Sequence, residues 1–382
     1  SLFSPHDCPN LYESFGTDDF DRIYCEYEDD ESIPRITIGA QELILDLLKE
    51  RAETGRIYIM NIDHCNTHSS FLDKVEMSNL CQEITLPTKP IQHIDDKEGE
   101  IALCILSAIN IGKIRGVDDL EELCDLSVRS LDELIDFQGY PVNAAEIATK
   151  ARRSLGVGFI GLAHYLAKQG VKYDDSEAWK LVHDLTEAFQ YYLIKSSVNL
   201  AKEKGACEYS DRTKYAQGIL PIDTYKKDVD EIVPNDLLLD WESLRRDVQQ
   251  YGIRNSTLSA QMPSESSSVV SNATNGIEPP RDYLSVKKSK KGPLKQIVPS
   301  YGTLKNNYTL LWDMPSNTGY INVVAVMQKF FDQAISGNWS YNPEHYEGSE
   351  VPTSVMAQDL LTTYKYGWKT SYYQNTYDNK TD

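Results

Sequence analysis

"EIALCILSAINI", running from Glu100 to Ile111, is apolar almost without interruption. A strand covered on one face alternates apolar and polar residues, whereas a strand covered on both faces does not. The stretch therefore predicts a strand buried on both faces, as in a parallel sheet wrapped by helices. Its surroundings agree. On its C-terminal side, "LEELCDLSVRSLDELI" places Leu120, Leu123, Cys124, Val128, Leu131 and Leu134 at helical spacing, and Ala163–Lys204 continues the period. On its N-terminal side, "IGAQELILDLLKERAETG" carries Leu43, Leu47 and Leu48 on one helical face, with Gly55 as its stop. "TDDFDRIYCEYEDD" (Thr17–Asp30) reads as a shorter helix opened by a threonine cap, and "RIYIMN" (Arg56–Asn61) as a strand. Further along, "RNSTLSAQMP" (Arg254–Pro263) predicts a strand feeding a serine-rich turn. "YLSVKKSKKGPLKQIVP" predicts a hairpin with a lysine-rich tip, and helices are expected around Gly319–Ile335 and Met356–Lys369. Strands separated by long helices give an α/β architecture.

Composition narrows the partners. The chain has 382 residues, 41% hydrophobic and 25% charged, enough for a sizeable core. Its 58 acidic residues outnumber 38 basic ones, for a net charge of −20. That balance opposes binding to nucleic acid or to acidic membranes, which require a basic footprint. Small phosphorylated ligands remain open, because a helix N-terminus holds phosphate without lysine. No apolar run approaches the roughly 20 residues of a membrane helix. The seven cysteines, Cys8, Cys25, Cys65, Cys81, Cys104, Cys124 and Cys207, are odd in number, scattered and free of CxxC pairs. That pattern points to a reduced, cytoplasmic protein rather than a disulfide framework.

"SNLCQEITLP" (Ser78–Pro87) spaces Asn79, Cys81 and Glu83 by two. In an extended backbone the three side chains face one way, setting a thiol between an amide and a proton acceptor. Other motifs weigh less. "GVGFIG" (Gly156, Gly158, Gly161) matches GxGxxG, but the helical "AAEIATKARRSL" (Ala144–Leu155) stands where a dinucleotide site wants a buried strand. Close backbone packing is the better reading. "DHCNTH" offers His64, Cys65 and His68, yet no second ligand pair completes a zinc site, so these read as polar loop residues. Lys287, Lys288, Lys290 and Lys291 read as an exposed hairpin tip. "MPSESSSVVSNATNG" (Met262–Gly276) sets serines at a helix start, which serves as an N-cap or as an anion cradle without positive charge. Tyr372 and Tyr373 in "SYYQNT" form a phenol pair, a combination that usually only packs.

Together these motifs resemble the large, catalytic subunit of class I ribonucleotide reductase of the enterobacterial and phage kind. The resemblance rests on "ERAETGRIYIMNIDHCNTHS", "SNLCQEITLPTKP", "GEIALCILSAIN", "RRSLGVGFIGLAHYLAK", "RNSTLSAQMPSESSSVVSNATNGIEPPR" and "SYYQNT", in that order. It implies a ten-stranded α/β barrel of two half-barrels with a finger loop threaded into its centre. Residues 1–61 would end the first half, and residues 62–382 would supply the finger loop, the second half and its helices. It implies that Cys81 becomes the thiyl radical that takes the 3′ hydrogen of a ribonucleoside diphosphate. Glu83 would take the 3′-hydroxyl proton, Asn79 would orient sugar hydroxyls, and Cys104 would be one of two electron-supplying thiols. Tyr372 and Tyr373 would relay the radical, and Pro263, Ser264, Glu265, Ser266 and Ser267 would hold the substrate diphosphate.

The resemblance also implies what lies outside this sequence. The N-terminal half of the subunit, with the effector sites and the thiol partner of Cys104, would be a separate chain or segment. None of Cys8, Cys25 or Cys65 sits in a matching motif. A small subunit would carry the diiron–tyrosyl radical, so no cofactor is expected in this chain. Thioredoxin or glutaredoxin would be the reductant, although the family's C-terminal cysteine pair has no counterpart in "YDNKTD". Neither nucleic acid nor membrane is an expected partner, and the expected compartment is the cytoplasm, a host's if the gene is a phage's. A catalytically silent assembly scaffold is the competing reading. The joint presence of Asn79, Cys81, Glu83, Cys104, Tyr372 and Tyr373 weighs against it.

Overall fold

A computed structural model of the chain describes residues 1–289 and 292–378. The elements before the apolar stretch are short: β1 (Leu2–Phe3), α1 (Pro9–Ser14), α2 (Phe20–Asp29), β2 (Arg35–Ile36), α3 (Ala40–Thr54), β3 (Ile59–Met60) and α4 (Ile62–Thr67). Next come β4 (Ile105–Asn110), α5 (Asp119–Phe137), α6 (Asn143–Arg152), β5 (Leu155–Ile160), α7 (Leu162–Gln169) and α8 (Ser176–Lys204). Then follow α9 (Pro221–Thr224), α10 (Trp241–Tyr251), α11 (Glu265–Val270) and the hairpin β6 (Leu284–Ser289)–β7 (Gly292–Ile297). The last are α12 (Tyr301–Leu304), α13 (Thr318–Gln328), β8 (Trp339–Tyr341), α14 (Thr353–Lys365), β9 (Thr370–Ser371) and β10 (Gln374–Thr376).

Five segments run side by side and parallel, forming a wall. β4 pairs with β5 from Ile105↔Leu155 to Asn110↔Ile160. The extended stretch 257–261 joins the far side of β5: Val157 and Ser259 bridge in parallel, and the Val157 N–H donates to Leu258 O at 2.8 Å. Residues 333–336 follow, with a parallel bridge from Gln261 to Ile335. Their continuation, β8, lies parallel to β10. The wall closes on β3, which pairs antiparallel with β9. Helices cover it from outside. α5 packs on β4 and β5, α8 packs on α5 and α13, and α13 is buried along its length from Gly319 to Gln328, as a helix apolar all round must be.

Local signals explain many of the joints. α3 stops because Gly55, at φ 70°, adopts the left-handed conformation and donates its N–H to Arg51 O. Gly161, at φ 84°, turns the chain from β5 straight into α7. The lysine-rich hairpin forms as expected from its flanks, although Lys290 and Lys291 lie outside the described residues.

Four expectations need correction. The apolar run is a strand only from Ile105, and it is not covered on both faces: Leu103 and Leu106 are exposed, Leu106 by 41%. Among the described residues β4 pairs with β5 alone, so its other edge carries no strand. Thr17 caps no helix. Its hydroxyl donates to Ser14 O, and α2 begins after Asp19. "DHCNTH" is not a polar loop but most of α4, with His64, Cys65 and His68 buried. The helix expected over Gly319–Ile335 ends at Gln328, releasing 333–336 into the wall.

Candidate functional site

The trio does not sit on an extended strand. The Gln82 N–H donates to Asn79 O at 3.1 Å, closing a turn over residues 79–82, and Gln82 takes a positive φ of 69°. The Ile84 N–H then returns to the Asn79 side chain at 3.1 Å. Across this folded turn the Asn79 side chain hydrogen-bonds the Glu83 carboxyl, while the Cys81 thiol meets the Tyr372 hydroxyl. Leu80, at the apex, is 79% exposed, while Glu83 is buried and Cys81 half-buried.

The loop carrying this turn is fastened at its base and at its tip. At the base, Arg152 pairs with Asp73 at 2.8 Å and with Glu100 at 2.7 Å, and Arg212 also reaches Asp73. Near the tip, wall residues 333–336 grip it. The Ala334 N–H donates to Glu83 O at 3.0 Å, and the Gln333 side chain accepts from the Thr85 N–H at 3.2 Å. Ser336 Oγ contacts both the Cys81 carbonyl and Glu83 Oε2, the latter at 3.2 Å.

Burial raises the Glu83 carboxyl above its ordinary range, and hydrogen bonds from Asn79 and Ser336 oppose that rise in part. A carboxylate kept reluctant to ionise suits a group that must take up a proton. Cys104, just before β4, receives the Gln333 amide at 3.5 Å and feels the charge of Glu83. Burial pushes its thiol up to about 12, so it is held as a thiol. All seven cysteines are free.

Tyr372 and Tyr373 follow β9 and face this turn. The Tyr372 hydroxyl donates to Cys81 Sγ at 3.4 Å, and the rings of Tyr372 and Tyr373 lie 4.2 Å apart between centroids, tilted by 56°. A third phenol that no sequence motif marks, Tyr58, has its ring 4.7 Å from Tyr372 and 5.4 Å from Tyr373. Hydrogen bonds from Tyr58 and Tyr372 hold the Tyr373 phenol below its ordinary pKa, whereas burial pushes that of Tyr372 up. Only Tyr373 of the adjacent pair is open to solvent, at 36% exposure. Arg51, fully buried and without a carboxylate partner among the described residues, fixes the pair: its guanidinium donates to the carbonyls of Ile57, Tyr372 and Tyr373 and lies 4.6 Å from the Trp339 ring. Tyr58, just before β3, carries no local signal for this cluster; the β3–β9 pairing brings it to Tyr372 and Tyr373.

The serine segment leads into α11. α11 starts at Glu265 as expected, but Ser264 does not cap it, since its hydroxyl donates to Met262 O. Pro263, Glu265, Ser266 and Ser267 are exposed and Ser264 is buried. The first-turn N–H groups of such a helix have no intrahelical acceptor.

Other motifs resolve into packing. Alanine at Gly156 would place its Cβ 2.5 Å from Leu106 and 2.9 Å from the Cys104 sulfur, and at Gly158 2.6 Å from the Ala260 carbonyl. The glycines of "GVGFIG" thus let neighbouring strands approach. His64 Nδ1 engages Trp368 O, while His68 spends its ring nitrogens on Thr224 and Gln328. His183, Asp184 and Glu187 also lie close enough to hold a metal, but Glu187 accepts from the Leu238 and Leu239 N–H groups and the Trp241 indole. Among the described residues no helix is long and apolar enough to cross a membrane.

The sequence matches the family described as "Ribonucleotide reductase, barrel domain" over residues 1–306 and 301–374. It is 60% identical to the ribonucleoside-diphosphate reductase subunit alpha of Haemophilus influenzae, with all of this chain aligned to 51% of that protein. It is 54% identical to subunit alpha of ribonucleoside-diphosphate reductase 1 from Escherichia coli, again over 100% and 51% of the two chains. For the subunit alpha of Enterobacteria phage T4 the identity is 43%, over 99% and 51%. The chain spans about half the length of the curated relatives it matches.

Proposed function

The chain belongs to the ribonucleotide reductase barrel family, and from that premise we propose that it is the C-terminal catalytic portion of a ribonucleoside-diphosphate reductase large subunit. The observation that carries the reading is the Tyr373–Tyr372–Cys81 line, which ends beside a buried carboxylate and near a second thiol. A phenol can pass a hydrogen atom, and a sulfur–hydrogen bond is weak enough to give one up. Cys81 then loses its hydrogen to Tyr372 in its phenoxyl-radical state, and the thiyl takes the 3′ hydrogen of the ribose, returning it once the 2′ carbon has been reduced. Glu83 accepts the 3′-hydroxyl proton, a contribution of roughly 10²–10⁴ in rate for a positioned base. Asn79 orients the sugar hydroxyls. The 2′-hydroxyl leaves as water, and Cys104 with a second thiol supplies two electrons and two protons, ending as a disulfide. The diphosphate rests on Pro263, Ser264, Glu265, Ser266 and Ser267 at the start of α11.

The partners follow from the same reading. The open edge of β4, the exposed Leu103 and Leu106, and the bare Leu80 at the turn's apex are consistent with an N-terminal half that completes the barrel around the finger loop. That half would bring the thiol partner of Cys104 and the nucleotide effector sites. A small subunit bearing a diiron–tyrosyl radical would feed Tyr373, the exposed member of the pair. Thioredoxin or glutaredoxin would reduce the disulfide, and the compartment would be the cytoplasm. The test is reconstitution. This chain, an N-terminal half and a radical-bearing small subunit should together form deoxyribonucleotide, and this chain alone should form none. Turnover by the isolated chain would refute the division of labour.

A further inference from the structure

Ser336 has one hydroxyl proton and two acceptors, the Cys81 carbonyl and Glu83 Oε2. Both belong to the turn that carries the reactive groups, while Ser336 itself belongs to the wall, held by the Gln261 carbonyl at 3.0 Å through its N–H. We propose that Ser336 is a positioning residue that couples the protonation state of Glu83 to the backbone at Cys81. With Glu83 ionised, the carboxylate competes for the serine proton and the Cys81 carbonyl is weakly held. Once Glu83 takes up a proton, its own O–H donates to Ser336 Oγ, and the serine proton goes wholly to the Cys81 carbonyl. All three groups are then satisfied in one chain, Glu83 to Ser336 to Cys81. The turn is thereby tightest in the state in which the base has done its work.

The surroundings leave this chain few competitors. The titratable groups near Glu83 are the thiols of Cys81 on the turn and Cys104 before β4, with the phenol of Tyr372 on the Cys81 sulfur. The charged groups of the adjoining wall are engaged elsewhere. Asp332 accepts from the Leu258 and Ser259 N–H groups, and Lys369 donates to the carbonyls of Phe331, Asp332 and Gln333. Asn79 and the Glu83 backbone N–H also donate to the Glu83 carboxyl.

The meaning of this coupling rests on the proposed role of Glu83, but its measurement needs no turnover, so the two can fail separately. The chain is labelled with carbon-13 at glutamate carboxyls and at the cysteine carbonyl, and titrated by NMR. Glu83→Gln and Cys81→Ser identify the two signals. In the unsubstituted chain the Cys81 carbonyl signal should move with the same midpoint as the Glu83 carboxyl. Ser336→Ala should raise the Glu83 midpoint by about one unit, since a donor to the ionised form is lost, and should uncouple the Cys81 signal. Ser336→Thr, which keeps the hydroxyl, should restore both. A Cys81 carbonyl indifferent to the Glu83 titration in the unsubstituted chain overturns the proposal without any variant. So does an unchanged or lowered midpoint in Ser336→Ala.

Discussion

The hydroxyl of Tyr372 donates to the sulfur of Cys81 at 3.4 Å, although 291 residues separate the two in sequence. Neither residue is reactive in isolation, since a buried phenol and a half-buried thiol are common. Their contact, with the Tyr373 ring 4.2 Å behind and exposed to solvent, would give a hydrogen atom a path from the surface to the turn under the proposed function.

That path predicts a split between stability and turnover. Phenylalanine at 372 or 373 keeps the ring and removes only the hydroxyl, costing at most about 1 kcal/mol for one bonded group. Melting temperatures should barely change, while turnover of the assembled enzyme falls to background. Two merely packing tyrosines would leave turnover near normal.

Glu83 makes stability depend on pH in a defined direction. Its carboxyl is raised by burial, so between the ordinary carboxylate range and its raised value the folded chain holds a proton that the unfolded chain has released. Stability from this group is full at low pH and is lost as pH rises through that window. Glu83→Gln, neutral throughout, should therefore melt higher than the parent at neutral pH, and the gap should close below about pH 4. Equal melting temperatures at neutral pH would show that the carboxyl is not strained by burial.

Arg51 is expected to matter for the fold and for the tyrosine pair. Arg51→Leu leaves the carbonyls of Ile57 and Tyr372 without their donor, at about 1–3 kcal/mol for each buried group. Chemical denaturation should show a loss of about 2 kcal/mol or more. A neutral substitution would mean that water replaces the guanidinium.

Gly158→Ala tests the packing reading of "GVGFIG". A Cβ there meets the Ala260 carbonyl, and overpacking of this kind costs about 1–3 kcal/mol. Titration with a nicotinamide dinucleotide, followed by fluorescence, should show no saturable binding to the parent chain. Saturation would reopen the dinucleotide reading.

The parts of this fold set by local chemistry were legible in the chain. The period of Leu120, Cys124, Val128 and Leu131 gave α5, Gly55 gave the end of α3, and the "KKSKK" flanks gave the hairpin. What was not legible is set by distant partners. Nothing local ends α13 before "DQAIS". Asp332 leaves the helix because its carboxylate caps the Leu258 and Ser259 N–H groups, and its own N–H goes to Ser259 Oγ. The period of two in Asn79, Cys81 and Glu83 suggested a strand, whereas the positive φ of Gln82 makes a turn. Tyr58, Ser336 and Gln333 enter the site only through strand pairing, and no spacing in the sequence marks them.

Cys104 should separate the start of the chemistry from its completion. In the assembled enzyme Cys104→Ser leaves Cys81 and Glu83 in place, so hydrogen abstraction should begin and then stall, releasing decomposition products instead of deoxyribonucleotide. Analysis of the nucleotide products by chromatography reads this directly. Normal deoxyribonucleotide yield would remove Cys104 from the electron supply.

The most direct measurement is turnover of a ribonucleoside diphosphate by the assembled enzyme carrying Cys81→Ser. An alcohol O–H bond is too strong for a phenoxyl radical to break, so with Tyr372, Glu83 and Cys104 intact no deoxyribonucleotide and no release of the 3′ hydrogen are expected. Substantial turnover with serine at position 81 would contradict this expectation.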